Sequence, residues 1–139
     1  MAKMIYLDMD GTIANLYGVE NWLEYLVNSD PKPYQIAKRI VNEKVLLKLV
    51  KAGYDLGIIS WLSKNSTREY DTEVRKAKKE WLKLNYPNIN FKEIHIVKYG
   101  TPKHKVAKIK NAILVDDEEK NLQQWKGIPI HASEIANIA

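Results

Sequence analysis

The stretch Met4-Ile-Tyr-Leu-Asp-Met-Asp-Gly-Thr12 decides the fold class that this sequence predicts. Its first four residues are apolar, as in a buried strand, and Gly11 with Thr12 is a turn signal that ends the strand. Asp8 and Asp10 therefore lie at the carboxyl end of that strand. Ligands bind at this edge of open α/β sheets, and two close carboxylates repel each other unless a cation or proton offsets them. The simpler alternative is a polar turn after an edge strand.

Composition indicates one globular domain over residues 1–139, with 45% apolar and 28% charged residues. The sequence contains no cysteine, so disulfides and thiolate metal sites are excluded, and a reducing compartment is compatible with this composition. The apolar run before Asp8 is too short for a signal peptide or a membrane span. These features predict a cytoplasmic protein with no membrane partner.

The formal net charge is +5, which suggests an anionic partner. Much of it comes from lysines in predicted helices, notably residues 75–83 and 103–110, where solvated helix faces are the ordinary explanation. No recognised nucleic-acid-binding motif accompanies the charge. A phosphorylated small molecule fits the same sign, and a nucleic-acid end stays open as a partner.

Strand and helix signals alternate along the chain, which predicts a three-layer, Rossmann-like parallel sheet with helices on its faces. Further strands are predicted at residues 54–60, 91–97, 112–115 and 128–131. Helices are predicted from about 34 or 42 to 52, and at about 67–84, 101–110 and 118–125. Residues 15–40 look like an insert that supplies one or two short helices.

Three of the predicted strands end in polar side chains, which a parallel sheet would bring to one edge. Asp8 and Asp10 follow the first strand, Ser60 ends the second, and Asp116 with Asp117 ends the fourth. A lysine at the start of the helix before the fourth strand, Lys103 or Lys105, has a stem long enough to reach that edge. The pattern therefore predicts carboxylates, a hydroxyl and an ammonium in one place.

This set of groups suits phosphoryl transfer, in which charge develops on phosphate oxygens. Asp8 would attack phosphorus, and Asp10 would protonate the leaving oxygen and then activate water. The clustered carboxylates would hold Mg²⁺, which prefers oxygen ligands and neutralises both nucleophile and phosphate. Ser60 and the lysine would bind the phosphate.

At this level of detail the chain resembles phosphatases of the haloacid dehalogenase superfamily, whose four motifs occur in order across residues 8–117. They are Asp8-Met-Asp10-Gly-Thr, Ser60 after Leu-Gly-Ile-Ile, a lysine, and Asp116-Asp117 after Ile-Leu-Val. The resemblance implies that Asp8 is the nucleophile, Asp10 the acid and base, Ser60 and Lys105 the phosphate binders, and Asp116 a metal ligand. It also implies that the backbone carbonyl of Asp10 contacts the metal, that Asp117 binds metal through water or orients Lys105, and that residues 15–40 form a small cap.

Two lysines compete for the third motif. Lys105 lies 11 residues before Asp116, close to the spacing in the deoxyribonucleotidase-like branch of the superfamily. Lys103 instead fits a pattern like that of polynucleotide 3′-phosphatases. We favour Lys105, and the remaining lysine would be a solvated residue at a helix start.

Aromatic residues indicate the substrate class. Tyr17, Trp22 and Tyr25 lie in the small insert, and Trp61 directly follows Ser60. Because aromatic faces stack on bases, a nucleotide is the favoured substrate, above all a nucleoside or deoxynucleoside monophosphate. The alternative for Trp22 and Tyr25 is apolar contact between the insert and the core, so Trp61 is the better stacking candidate.

The predicted function is thus a Mg²⁺-dependent phosphatase resembling 5′(3′)-deoxyribonucleotidases. A polynucleotide 3′-phosphatase is the first alternative, and salt-sensitive binding to strand ends would favour it. A non-catalytic protein that binds a phosphorylated ligand is the second alternative.

Overall fold

A computed structural model describes residues 3–138 of the chain. The strands are β1 (Lys3–Leu7), β2 (Ala14–Asn15), β3 (Lys38–Arg39), β4 (Tyr54–Trp61), β5 (Glu93–Val97), β6 (Ile113–Asp116) and β7 (Ile128–His131). The helices are α1 (Trp22–Val27), α2 (Lys32–Ile36), α3 (Glu43–Lys51), α4 (Arg68–Asn85), α5 (Lys103–Val106) and α6 (Glu119–Gln124), with 3₁₀ turns at Leu16–Gly18 and Ala132–Asn137.

Five strands form one parallel sheet in the order β5-β4-β1-β6-β7. The chain begins in the middle with β1, moves outward through β4 to β5, and returns to the other side of β1 for β6 and β7. The direction of winding therefore reverses beside β1, and in open α/β sheets ligands bind at the carboxyl ends of the strands at such a point. The predicted α/β class and parallel sheet are confirmed.

The core has two parts because side chains alternate between the two faces of the sheet. Ile5 and Leu7 belong to one buried cluster, which also contains residues of α3 and α4. Met4 and Tyr6 belong to a second cluster on the other face, which contains Leu122 of α6. Helices thus cover both faces, and the arrangement is Rossmann-like.

Helix α4 confirms the predicted long helix to within one residue at each end. Thr67 caps it, because the Thr67 side chain accepts a hydrogen bond from the backbone N–H of Tyr70 at 3.2 Å. Within residues 3–138, no helix combines the length and the apolar character needed to cross a membrane.

Helix α5 is shorter than the sequence predicts. It ends before Ala107, whose backbone is extended and whose side chain is buried in the second core cluster. The chain beyond it is held by the Tyr6 hydroxyl, which accepts a hydrogen bond from the backbone N–H of Ile109 at 3.1 Å. These contacts with the sheet replace the predicted helical turns up to residue 110.

The insert is expected to supply one or two short helices and contains two, α1 and α2, together with an antiparallel pair, β2 with β3, that the sequence analysis missed. Strands of two residues are too short to show an alternating pattern. Tyr34 of α2 is buried in a third apolar cluster with residues of α4, and Trp22 of α1 packs against it. The insert is thereby fixed beside the carboxyl edge of the sheet.

Candidate active site

Three carboxylates meet at the carboxyl edge of β1 and β6. Asp8 directly follows β1, Asp116 ends β6, and Asp117 comes next in the chain. One carboxylate oxygen from each residue lies within 4.8 Å of the other two. Asp116 is fully buried and Asp8 nearly so. The sheet therefore brings together strand ends that are more than a hundred residues apart in sequence.

Lys103 lies between two of these carboxylates. Its Nζ donates to Asp8 Oδ1 at 2.8 Å and to Asp116 Oδ2 at 2.7 Å, and the side chain is buried. Lys105 is exposed two residues further on, and within the described part of the chain its side chain forms no hydrogen bond or ion pair with this cluster. The geometry thus reverses the sequence-based preference: Lys103 reaches the site because it is the first residue of α5 and points inward.

Burial and mutual repulsion govern the charges of the cluster. Burial, followed by the nearby Asp8 charge, raises the pKa of Asp116 above its usual range and that of Asp117 to about 7. Burial alone would lower the pKa of Lys103, but Asp8 and Asp116 outweigh it and raise that pKa. The single positive charge of Lys103 therefore offsets only part of the repulsion among the three carboxylates.

The donor set fits a hard divalent cation. Asp8, Asp116 and Asp117 offer only oxygen ligands, which Mg²⁺ prefers, and a cation among them would offset the remaining repulsion. The three-carboxylate cluster does not include the Asp10 side chain, whose Oδ2 accepts a hydrogen bond from Lys78. Asp10 is predicted to be a metal ligand. Only its backbone carbonyl is left for that role, which is the atom that the resemblance to haloacid dehalogenase phosphatases implies.

Lys78 is a functional candidate that the sequence analysis missed. It projects from α4, is fully buried, and its Nζ donates to Asp10 Oδ2 at 2.9 Å and to Ser60 Oγ at 2.7 Å. The backbone carbonyl of Trp61 accepts a third hydrogen bond at 2.8 Å, and the Tyr34 ring lies 5.0 Å from the ammonium. All three ammonium hydrogens thus have acceptors, and the contacts orient the Asp10 carboxylate.

A signal for Lys78 is present in the sequence. The buried face of α4 repeats at helical spacing, and Lys78 is the charged member of that face: Tyr70, Val74, Ala77, Lys78, Trp81 and Leu82. A buried lysine requires an ionic or hydrogen-bonded partner, because an isolated buried charge is costly. The helical pattern alone could therefore have marked it.

Ser60 is fully buried, does not line the cavity, and contacts Lys78 through its Oγ. Because an ammonium group only donates, Ser60 Oγ accepts this hydrogen bond. The direct contact of Ser60 is therefore with Lys78, while the predicted contact with phosphate stays a prediction.

Three smaller features hold the carboxylates in place. The Thr12 hydroxyl lies 3.2 Å from Asp8 Oδ2 and 3.3 Å from Asp117 Oδ1, so it bridges them. Gly11 has a φ of +84°, and a Cβ there would collide with the Asp117 carboxylate, so glycine is required. The Asn121 amide of α6 donates to Asp116 Oδ2 at 3.1 Å.

The carboxylates lie in a cavity of about 500 Å³. The insert contributes Tyr17, Trp22 and Tyr34 to the cavity wall, the end of β4 contributes Trp61, and the loop after β5 contributes Tyr99. Of the aromatic residues singled out from sequence, Tyr25 does not line this cavity. Trp22 packs against the third apolar cluster, as the apolar interpretation predicts, and it also lines the cavity, while its stacking on a base stays a prediction.

Trp61 is fixed in the cavity wall. Its indole N–H donates to the backbone carbonyl of Thr101 at 2.8 Å, and its ring centroid lies 5.0 Å from that of Tyr99. The Lys103 ammonium lies 5.6 Å from the Trp61 ring. An aromatic surface therefore lies beside the Lys103 and aspartate cluster.

No family model matches the chain, and no curated protein matches it. The geometry itself provides a nucleophile candidate in Asp8, a second carboxylate in Asp10 and an ammonium in Lys103. A carboxylate nucleophile, a second carboxylate and an ammonium are the types of group that hydrolysis of an anionic ester requires.

Proposed function

We propose that the chain is a Mg²⁺-dependent phosphatase that hydrolyses a phosphomonoester through an aspartyl-phosphate on Asp8, with a nucleotide as the substrate. The observation that carries the proposal is the cluster of Asp8, Asp116, Asp117 and Lys103 at the floor of an aromatic-walled cavity. Carboxylates and an ammonium at the end of parallel strands supply the charges that phosphoryl transfer requires.

In the first step, an Asp8 carboxylate oxygen attacks phosphorus and the bond to the leaving oxygen breaks. Asp10 gives that oxygen its proton. In the second step, Asp10 takes a proton from water, whose oxygen attacks the aspartyl-phosphate, so that inorganic phosphate leaves and Asp8 is restored. Lys103 attracts the phosphate oxygens throughout, and Mg²⁺, when bound, lowers the repulsion between Asp8 and the phosphate.

The cavity favours a nucleotide among phosphomonoesters. Its volume of about 500 Å³ is in the range of small-molecule sites. Its wall includes the aromatic side chains of Trp61, Tyr99 and Tyr17, and each base has a face on which an aromatic ring can stack.

A panel of nucleoside monophosphates tests the proposal together with its metal requirement. We expect phosphate release in the presence of Mg²⁺, loss of release after exhaustive chelation, and recovery when Mg²⁺ is returned. Mg²⁺ should also raise the melting temperature of the wild type, because a ligand that binds only the native state stabilises it.

The matched variants for this experiment are Asp116→Asn, which removes a proposed ligand, and Glu80→Gln, which removes an exposed carboxylate of α4. The Mg²⁺-dependent rise in melting temperature should vanish in the first and persist in the second. Full activity after chelation would contradict the metal requirement, and no release from any substrate would leave the alternative of a non-catalytic binder.

The placement of the two lysines leads to a second prediction. Lys103→Met should lower kcat/KM by at least about 100-fold, because charge-assisted hydrogen bonds to two buried groups are lost. Lys105→Met should change it less than about twofold, since exposed side chains without contacts contribute little. Steady-state rates of both variants, with melting temperatures as the check on folding, decide this assignment. Equal losses in both would contradict it.

A polynucleotide 3′-phosphatase is the second candidate function, and one observation favours it. Lys103, the lysine that the sequence analysis associates with that activity, is the one in contact with Asp8. Hydrolysis of a terminal phosphate on an oligonucleotide, faster than on mononucleotides and strongly weakened by salt, would select this candidate.

A further inference from the structure

A second cavity, of about 630 Å³, adjoins the one that contains Asp8. The two cavities share five wall residues from the loops after β4 and β5: Leu62, Ser63, Asn65, Ser66 and Tyr99. The second cavity therefore lies at the carboxyl edge of the sheet, towards the outer strand β5. The proposed hydrolysis uses none of the residues that line this cavity alone.

The charge of the second cavity is strongly positive. Arg68, Arg75 and Lys98 line it, and Asp71 is the one carboxylate among its wall residues. The Asp71 carboxylate accepts a hydrogen bond from the Ser66 hydroxyl. Within residues 3–138, none of the three cations has a carboxylate oxygen within 4.0 Å. These cations are therefore available to an anion from outside.

Arg75 is oriented for such a contact. It is half-buried on α4, and its Nε donates to the backbone carbonyl of Ile96 at 3.1 Å, which fixes the plane of the guanidinium. The terminal nitrogens can still form two parallel hydrogen bonds with phosphate oxygens. Lys98 follows directly after β5 and adds a flexible ammonium.

We propose that this basic cavity is a subsite for a second phosphate, which is linked through one sugar to the phosphate that Asp8 attacks. Tyr99 lies in both walls and is half exposed, so a base or sugar between the two phosphates can pack on its ring. The substrate class is then a nucleoside bisphosphate or the phosphorylated end of an oligonucleotide. This inference rests on the proposed phosphatase function and narrows its substrate.

The test compares kcat/KM for three substrates: a nucleoside 3′-monophosphate, the matching 3′,5′-bisphosphate, and a dinucleotide with a terminal 3′-phosphate. With a second phosphate, we expect wild-type kcat/KM to rise about tenfold or more, as one charge-assisted contact would allow. If kcat/KM is higher still for the dinucleotide than for the bisphosphate, the substrate is the end of a nucleic acid. If kcat/KM does not rise further, the substrate is the nucleoside bisphosphate.

Arg75→Gln and Lys98→Gln should each lower kcat/KM about tenfold for the two larger substrates. For the monophosphate, each should lower kcat/KM less than about twofold. Lys48→Gln, on the exposed face of α3, makes the same change in net charge as a control and should affect all three equally. The Asp8→Asn variant allows the same comparison without turnover: Trp fluorescence can be used to measure how tightly it binds the bisphosphate and the monophosphate.

Failure of this inference is distinct from failure of the proposed function. If the wild type hydrolyses the monophosphate and the second phosphate brings no gain in kcat/KM or affinity, the subsite is overturned. Equal losses on all three substrates in Arg75→Gln and Lys98→Gln also overturn it. If no substrate is hydrolysed and the bisphosphate still binds more tightly than the monophosphate, the subsite stands and the catalytic proposal fails.

Discussion

Replacement of Asp8 by asparagine should abolish phosphate release, with a fall in kcat of at least about 10³-fold. The amide keeps the size of the side chain but lacks the negative charge and the oxygen nucleophile that would attack phosphorus. It also leaves the Lys103 ammonium with a weaker acceptor in place of the contact at 2.8 Å. Phosphate release from nucleotides and from an aryl phosphate measures this loss.

The chemical intermediate gives a second measurement for Asp8. Rapid acid quenching of the wild type during turnover should trap a phosphate on the peptide that contains Asp8, and hydroxylamine should release it. Asp55→Asn is the matched control, because Asp55 lies near the amino end of β4, at the opposite edge of the sheet. Wild-type turnover in Asp8→Asn would contradict the assignment of Asp8 as the nucleophile, and therefore the proposed mechanism.

The Lys78→Met variant should lose more activity on substrates whose leaving group needs a proton than on substrates whose leaving group does not. Lys78 donates to Asp10, and Asp10 is the proposed proton donor to the leaving oxygen. Release of a nucleoside hydroxyl needs that proton, so we expect a loss of about 10²-fold or more in kcat. Release of p-nitrophenolate does not need it, so the burst of p-nitrophenol in the first turnover should fall less than about tenfold.

Two controls separate this positioning role from a role in folding alone. Lys79→Met changes the exposed neighbour on the same helix and should leave both rates near those of the wild type. In a double-mutant cycle, Lys78→Met should add little to the loss caused by Asp10→Asn, because both act on one proton transfer. Equal losses for both leaving groups, or fully additive losses, would show that Lys78 supports only the structure.

The sheet and the principal carboxylates could be predicted from local sequence patterns. An apolar run that ends in a turn signal is enough to place Asp8 and Asp10 at a strand end, and the same holds for Asp116 and Asp117. Parallel strands then bring those ends to one edge, whatever the connections between them. The position and length of α4 follow equally from short-range signals.

The lysines depend on contacts that local patterns do not contain. The partners Lys78 and Asp10 are 68 positions apart, and Lys103 and Asp8 are 95 apart. Helical periodicity can show that Lys78 faces inward, but the packing of α4 on the sheet determines which carboxylate it meets. The interpretation of Ser60 changed for the same reason, since its hydroxyl contacts Lys78, which α4 contributes.

By itself, therefore, the sequence determined the α/β class, the order of the strands along the chain, and the acidic strand ends. These features depend on residues close together in sequence, where hydrophobic period and turn chemistry act. Only the tertiary structure decided between Lys103 and Lys105, revealed Lys78, and joined the basic cavity to the aspartate cluster. Those features depend on where α4 and α5 dock, which is set by packing against the whole sheet.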